Sequence, residues 1–348
     1  MRHTPFFHGR ARALKPCHHA APCMHSLTLC TRSNIRLSAL TLPPFCCPSP
    51  PNAMPKKPSA PRHSLDSVGD ILLPGQSIEL LKELHILTRD GRLNQDTRRK
   101  LKQVHHLFGF IKPLLQDLEA AQPQGSAGIT LADHGAGKSY LGFILYDLFF
   151  RERSQGTIYG IETRQELVDR SAALAQRLGF ARMRFLALSS EASAHTADLP
   201  QQMDVVTALH ACDTATDDAI AFGLHKQAQH MVLVPCCQAE AAAHLRQSKA
   251  LQLARTPLAE LWRHPLHTRE MGSQITNVMR CLYLESQGYR VTVTELVGWV
   301  HSLKNELILA SYNGQKKRSA TQRMQALAES FGLESWLQQR FPRLLLAA

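Results

Sequence analysis

The first 65 residues contain no aspartate or glutamate; the first acid in the chain is Asp66. The same stretch holds nine Lys/Arg, 11 of the 19 prolines and five of the nine cysteines (Cys17, Cys23, Cys30, Cys46, Cys47). Proline lacks a donor and fixes φ, so a run such as Leu42-Pro43-Pro44-Phe45-Cys46-Cys47-Pro48 can hold neither a helix nor a central strand. The stretch also lacks the apolar block of a secretory signal, which argues against a disulfide-rich exported protein. The expectation for residues 1–65 is a basic, disordered tail, with translation from Met54 as a sharper form of that reading. Nowhere does an apolar run reach the roughly 18–20 residues of a membrane span. That excludes an integral membrane protein, and a cytoplasmic location is expected. Aromatic residues make up 6% of the chain, with no exposed aromatic run of the RNA-binding type. No CxxC pair occurs, and the adjacent Cys236 and Cys237 are awkward partners for one tetrahedral ion, so no metal site is expected.

The formal net charge of +12 looks at first like a nucleic-acid signature. It is unevenly spread. Residues 66–348 carry 31 basic and 28 acidic side chains, a net of +3. Charge alone therefore does not argue for RNA in the folded part. What remains is local: Arg98, Arg99, Lys100 and Lys102 cluster in a helical segment and are suited to phosphate contacts. Residues 66–128 nevertheless balance eight basic against eight acidic residues, which equally fits a solvated helix face.

After residue 66 the patterning changes. Leu80, Leu81, Leu84 and Leu87, then Leu101, Val104, His105, Phe108, Ile111, Leu114, Leu115 and Leu118, recur at three- and four-residue spacing, predicting two helices within 77–121 broken at Asp90-Gly91. This helical arm, residues 66–125, leads through Pro123-Gln124-Gly125-Ser126 into alternating strands and helices over 126–312. Strands are expected at 129–133, 157–162, 183–188, 204–209 and 230–235, with helices near 138–151, 164–178, 215–228 and 274–287. An antiparallel pair, 289–297 and 306–312, closes the sheet, and an amphipathic helix at 320–339 occupies the C-terminal segment 313–348. Alternation of this kind implies an α/β fold of the Rossmann-like, doubly wound class with a mostly parallel sheet.

The most informative segment is Ile129-Thr-Leu-Ala-Asp133-His-Gly135-Ala-Gly137-Lys138-Ser139-Tyr140-Leu141. A buried strand ends at Asp133, a glycine turn follows, and a helix is expected from about Lys138. Glycines let backbone approach a ligand closely, and a helix N-terminus favours partial negative charge. A phosphate loop is one reading of Gly137-Lys138-Ser139, but the earlier glycine it requires is replaced by Ala132. The other reading is a nucleoside cofactor at the end of the first strand. The next strand, Thr157-Ile-Tyr-Gly-Ile-Glu162, ends in an acid 29 residues after Asp133. An acid at that tip can accept hydrogen bonds from both ribose hydroxyls, which a phosphate-binding NTPase does not need.

With these residues the chain resembles the class I S-adenosylmethionine-dependent methyltransferases over roughly residues 101–312, within the branch that includes the rRNA-adenine-dimethylase-domain-containing proteins. The resemblance extends through Lys102-Gln103-Val104-His105-His106, the loop from Asp133 to Leu141, Leu209-His210-Ala211-Cys212-Asp213, Val234-Pro235-Cys236-Cys237-Gln238 and Gly288-Tyr289 with Lys304-Asn305. It implies a seven-stranded methyltransferase sheet and S-adenosyl-L-methionine as cofactor. It also implies that Asp133, Gly135 and Gly137 hold the methionine end and Glu162 the ribose, with Lys138 and His210 among the cofactor-binding residues. Ser139 departs from the pattern by replacing the third glycine; as the opening position of a helix it should tolerate serine.

The fourth and fifth strands are expected to be neighbours, so His210, Asp213 and Cys236 would face one cleft. His210 or Asp213 is suited to orient or deprotonate an acceptor, and Cys236 to act as a nucleophile; small thiols packed at strand ends are the ordinary alternative. Residues 264–269 are read as a lid carrying Arg269. RNA is modestly favoured as the acceptor. The contrasting function is a methyltransferase-like module that holds the cofactor without catalysis.

Overall fold

The computed structural model describes residues 71–91, 95–123, 125–209, 213–235, 239–248, 257–296 and 306–341. The chain divides into two units, Met1–Arg62 and His63–Ala348. The first unit lies wholly outside the described residues, as do His210, Cys212, Cys236, Cys237, Lys304 and Asn305.

The second unit opens with helix α1 (Ile78–Glu83), whose N-cap Ser77 accepts the Leu80 N–H through its hydroxyl, with Glu79 in the first turn. Helix α2 (Gln95–Ala121) follows. Then come β1 (Thr130–His134), α3 (Tyr140–Leu145, continued as a π-helical turn Tyr146–Phe150), β2 (Thr157–Glu162), α4 (Gln165–Arg177), β3 (Met183–Ala187) and α5 (Ser190–His195). The second half runs β4 (Val205–Leu209), α6 (Thr214–His225), β5 (His230–Val234), α7 (Glu240–Ser248), a 3-10 turn at Pro257–Trp262, α8 (Pro265–Ser286), β6 (Tyr289–Glu295), β7 (Glu306–Tyr312), α9 (Arg318–Phe331) and α10 (Glu334–Arg340).

The strands form one seven-stranded sheet in the order β3-β2-β1-β4-β5-β7-β6. The first five are parallel, whereas β7 runs antiparallel to both β5 and β6. The chain order reverses between β1 and β4. That switch point opens a crevice at the carboxyl ends of the strands, where ligands of doubly wound sheets bind.

Alternate strand residues face opposite sides and build two cores. On one side Leu131, Ile158, Met183, Val205, Val232 and Leu307 join a cluster that includes Leu80, Leu81, Leu101, Ile111 and Leu115. The helices read from the sequence as an arm thus share a core with the sheet, because their apolar stripe needs a partner face. On the other side Ala132, Ile161, Val206, Met231, Ile308 and Ala310 pack with residues of α6, α8, α9 and α10, including Phe222, Met279, Met324 and Trp336.

Three expectations are corrected by local physics. The helix after the glycine loop begins at Tyr140, not near Lys138, since Ser139 sits at φ 51°, ψ 37°, in the left-handed region. The C-terminal helix expected at 320–339 is two helices, broken where Gly332 adopts φ 62° and caps α9. The segment 264–269, read as a lid, is the start of a helix: Pro265 occupies the first turn of α8, where its missing donor and fixed φ cost nothing, and the helix runs 22 residues. Among the described residues no helix is long and apolar enough to cross a membrane.

Candidate functional site

The loop between β1 and α3 is built from its backbone. Gly135 and Gly137 sit at φ 67° and 57°, and a Cβ added to either would meet no atom within 4 Å. The loop thus demands left-handed backbone, and the space over it is open for a ligand. The Ala136 N–H donates to the Ile161 carbonyl at 2.9 Å, and the Gly137 N–H to Glu162 Oε2 at 2.8 Å, so β2 holds the loop in place.

Asp133 is 2% exposed and lies on the α3 side of the sheet. Its register partner on β4 is Thr207, whose hydroxyl donates to Oδ1 at 3.1 Å. The Ser139 hydroxyl donates to Oδ2 at 3.1 Å, and the Gly142 N–H adds a third bond. Burial raises the carboxyl to about 6, and these donors only partly offset it. Asp133 is therefore occupied inside the protein as the anchor of the loop. Ser139 bears the cost of a left-handed non-glycine residue, about 1–2 kcal/mol. It makes no side-chain cap, and its hydroxyl serves Asp133 instead.

Glu162 faces differently. It borders a cavity of ≈ 340 Å³ whose wall also includes His134, Gly135, Arg164, Ser190 and Asp218. That volume falls within the usual range for small-molecule sites, roughly 300–1,000 Å³. Burial opposes its charge, but Arg164 donates from Nε at 2.9 Å and Nη2 at 3.3 Å. The Arg164 and Gly137 N–H groups add to this, and the carboxyl ends at about 2. Arg164 itself is mostly exposed, which leaves it free to swing. An adenosyl cofactor fits this set: a carboxylate at the β2 tip for ribose hydroxyls, open space over a glycine loop, and an orphaned histidine in the wall. His134 has no hydrogen-bond partner for either ring nitrogen and packs its ring 5.2 Å from that of Phe222. Burial lowers it to about 4, against the pull of Glu162.

The remaining expected residues divide. Lys138 is exposed and lines a separate groove of ≈ 320 Å³ with Tyr140, Arg170 and Arg177, outside the cavity wall that holds Glu162. This separation also removes the basis for a phosphate-loop reading, which needs the lysine over the ligand. Asp213 takes φ 51°, ψ −118°, its Oδ1 accepts the Ala239 N–H at 3.2 Å, and its carbonyl accepts Arg280 Nη2 at 2.7 Å. Its carboxylate ties the loops after β4 and β5 together. Arg280 is fully buried and also donates to both oxygens of Asp217, at 2.6 and 3.0 Å, and to Asn277 Oδ1 at 3.1 Å; Asn277 in turn donates to Glu306 Oε2 at 2.6 Å. His210 and Cys236 lie outside the described residues.

Sequence reasoning missed Thr207, His134, Ser190, Asp218 and the Arg280 network. His134 stands inside the loop motif itself, where a polar residue at a core-facing strand position was the available signal. Thr207 needed the strand pairing, which sequence alone does not give.

Residues 99–244 match the family profile described as a methyltransferase domain. No curated protein matches the chain in sequence. Among solved structures it is similar to an rRNA methylase from Streptococcus thermophilus, at 8% identity and TM-score 0.35, covering 58% of this chain and 94% of that one. It is similar also to the magnesium protoporphyrin IX methyltransferase of Synechocystis PCC 6803 with bound S-adenosylhomocysteine, at 12% identity and TM-score 0.39, covering 68% and 93%. A third is a SAM-dependent methyltransferase from Aquifex aeolicus, at 15% identity and TM-score 0.32, covering 59% and 87%.

Proposed function

We propose that the protein, whose residues 99–244 match a methyltransferase-domain profile, transfers a methyl group to RNA from S-adenosylmethionine held between the glycine loop and Glu162. The observation that carries the site is the Glu162 carboxylate, kept ionised beside a cavity that opens at the switch point of the sheet. When bound, the cofactor supplies an electrophilic methyl group on a sulfonium centre. The chain's own residues do the rest. Glu162 accepts the ribose hydroxyls, Gly135 and Gly137 keep the backbone low beneath the ligand, and Asp133 holds that loop through Thr207, Ser139 and Gly142 without touching the ligand. Burial of the cofactor against these fixed groups orients the methyl group and reduces the entropic cost of transfer. His210 is retained as the residue that orients or deprotonates the acceptor. Cys236 belongs with it as an alternative nucleophile, and Asp213 acts by fixing the loop rather than as a base.

RNA is favoured by the cationic start of α2, where Arg99, Lys100 and Lys102 are exposed and Arg98 is half-buried beside them. Such a run neutralises phosphates without reading sequence. We also place the protein in the cytoplasm, a reducing compartment suited to a free thiol such as Cys281.

Two measurements test this reading. Calorimetry should detect binding of S-adenosylmethionine and S-adenosylhomocysteine; binding of ATP alone would overturn it. Transfer from a labelled methyl donor should mark an RNA fraction, and Lys100→Glu with Lys102→Glu should reduce that labelling severalfold while leaving S-adenosylhomocysteine affinity unchanged. Label appearing only in protein would replace RNA with a protein acceptor.

A further inference from the structure

His134 ends β1 on the side of the sheet that carries Ala132 and Ile161, facing Phe222 of α6. A leucine or phenylalanine there would complete an apolar core. The residue is instead an imidazole, 5% exposed, with neither nitrogen hydrogen-bonded. Whichever tautomer it adopts, a neutral imidazole carries one donor and one acceptor. Leaving buried polar groups unpaired opposes folding. The second observation is its place: the same residue forms part of the cavity wall, beside Gly135 and Glu162. A half-turn about Cβ–Cγ exchanges Nδ1 with Cδ2 and Nε2 with Cε1 while the ring fills the same space. A nitrogen can therefore be turned to a ligand without repacking Phe222.

We propose that His134 is a cofactor-contacting residue, whose imidazole gains its hydrogen-bond partner from the adenosyl ligand in this cavity and has none without it. The inference rests on the S-adenosylmethionine reading of the same cavity. It gives the residue two opposite signs: it disfavours the free fold and favours the complex. A histidine retained for packing alone would have one sign, since its loss would weaken both states.

The test is His134→Phe in the full chain, which keeps an aromatic ring against Phe222 and removes both nitrogens. The free variant is expected to melt a few degrees above the wild type. S-adenosylhomocysteine should bind it about tenfold more weakly, as expected for one lost hydrogen bond, and the melting shift produced by the ligand should shrink. In the wild-type protein, the 15N resonances of the His134 ring should move on addition of S-adenosylhomocysteine, a readout independent of how the variant folds. Equal affinity of variant and wild type with unmoved ring resonances would overturn the inference while leaving the cavity assignment intact, provided Glu162→Ala strongly weakens binding. If the wild-type protein does not bind S-adenosylhomocysteine, the cavity assignment falls and this inference falls with it.

Discussion

The ends of β1 and β2 lie side by side and each carries a carboxylate, yet their environments drive the two in opposite directions. Asp133 is enclosed on the α3 side, meets only neutral donors, and is raised to about 6. Glu162 borders the cavity, meets a guanidinium as well as backbone N–H groups, and is held at about 2. The difference separates an enclosed anchor from a carboxylate that borders the cavity: neutral donors satisfy a buried acid without favouring its charge enough, whereas a cation secures it. Their pH signatures must differ as well. Asp133 has a folded value above its ordinary 3.8, so the stability it contributes is complete below that value and is lost as pH rises through about 6. Glu162 has a folded value below its ordinary 4.5, so its contribution is present above 4.5 and is lost as pH falls through about 2.

Five substitutions break or sharpen this contrast. The largest effect is expected from Glu162→Ala, which should weaken S-adenosylhomocysteine binding about a hundredfold in calorimetry, since hydrogen bonds to a charged group contribute about 1.5–3 kcal/mol each. An unchanged affinity would remove Glu162 from the site. Next, Asp133→Ala should lower unfolding free energy by about 2–3 kcal/mol in urea titrations, by leaving the Thr207 and Ser139 hydroxyls unpaired in a buried space. Asp133→Asn can still satisfy Thr207 and Ser139, and should abolish the decline in stability between pH 4 and 6 seen in the parent. A decline of the same size in both proteins would locate the titration elsewhere.

Smaller changes probe the partners. Arg164, whose guanidinium is largely exposed, occupies the Glu162 oxygens proposed for the ribose hydroxyls, and solvent screening leaves such a pair weak. Arg164→Gln should accordingly raise cofactor affinity about two- to threefold; a loss of affinity would mean that Arg164 itself touches the ligand. Ser139→Gly should change stability least. Relief of the left-handed backbone, about 1 kcal/mol, offsets one hydroxyl hydrogen bond of similar worth. A net loss above about 1.5 kcal/mol in urea midpoints would show that the bond to Asp133 dominates.

Much of this arrangement was legible in the sequence. The strands at 157–162 and 306–312 were read at the bounds the structure has, because β-branched and apolar runs between turn residues leave little freedom. Glu162 was legible because the spacing from the glycine loop is fixed by one helix and one turn. Other features were hidden for definite reasons. Helix α5, Ser-Glu-Ala-Ser-Ala-His, has no apolar stripe to reveal it and rests on its Ser189 cap, which accepts the Ala192 N–H. The start of α8 was obscured because proline reads as a breaker until its N1 position is known. The role of Asp133 as an inward anchor depended on Thr207, 74 residues away, and only the β1–β4 pairing brings the two together.

The Arg280 network has a consequence for where this chain can be cut. The methyltransferase profile ends at residue 244, but Asp217 finds its cation at position 280 and β5 finds its neighbour in β7 at 306–312. A fragment 99–244 would carry an unpaired acid and a raw sheet edge, and should accumulate as insoluble protein. During synthesis Asp217 likewise waits for more than sixty further residues before its partner is made. The stretch recognisable by sequence is thus shorter than the stretch that can fold, and Arg280 and β7 are what allow β5 and α6 to hold their shape.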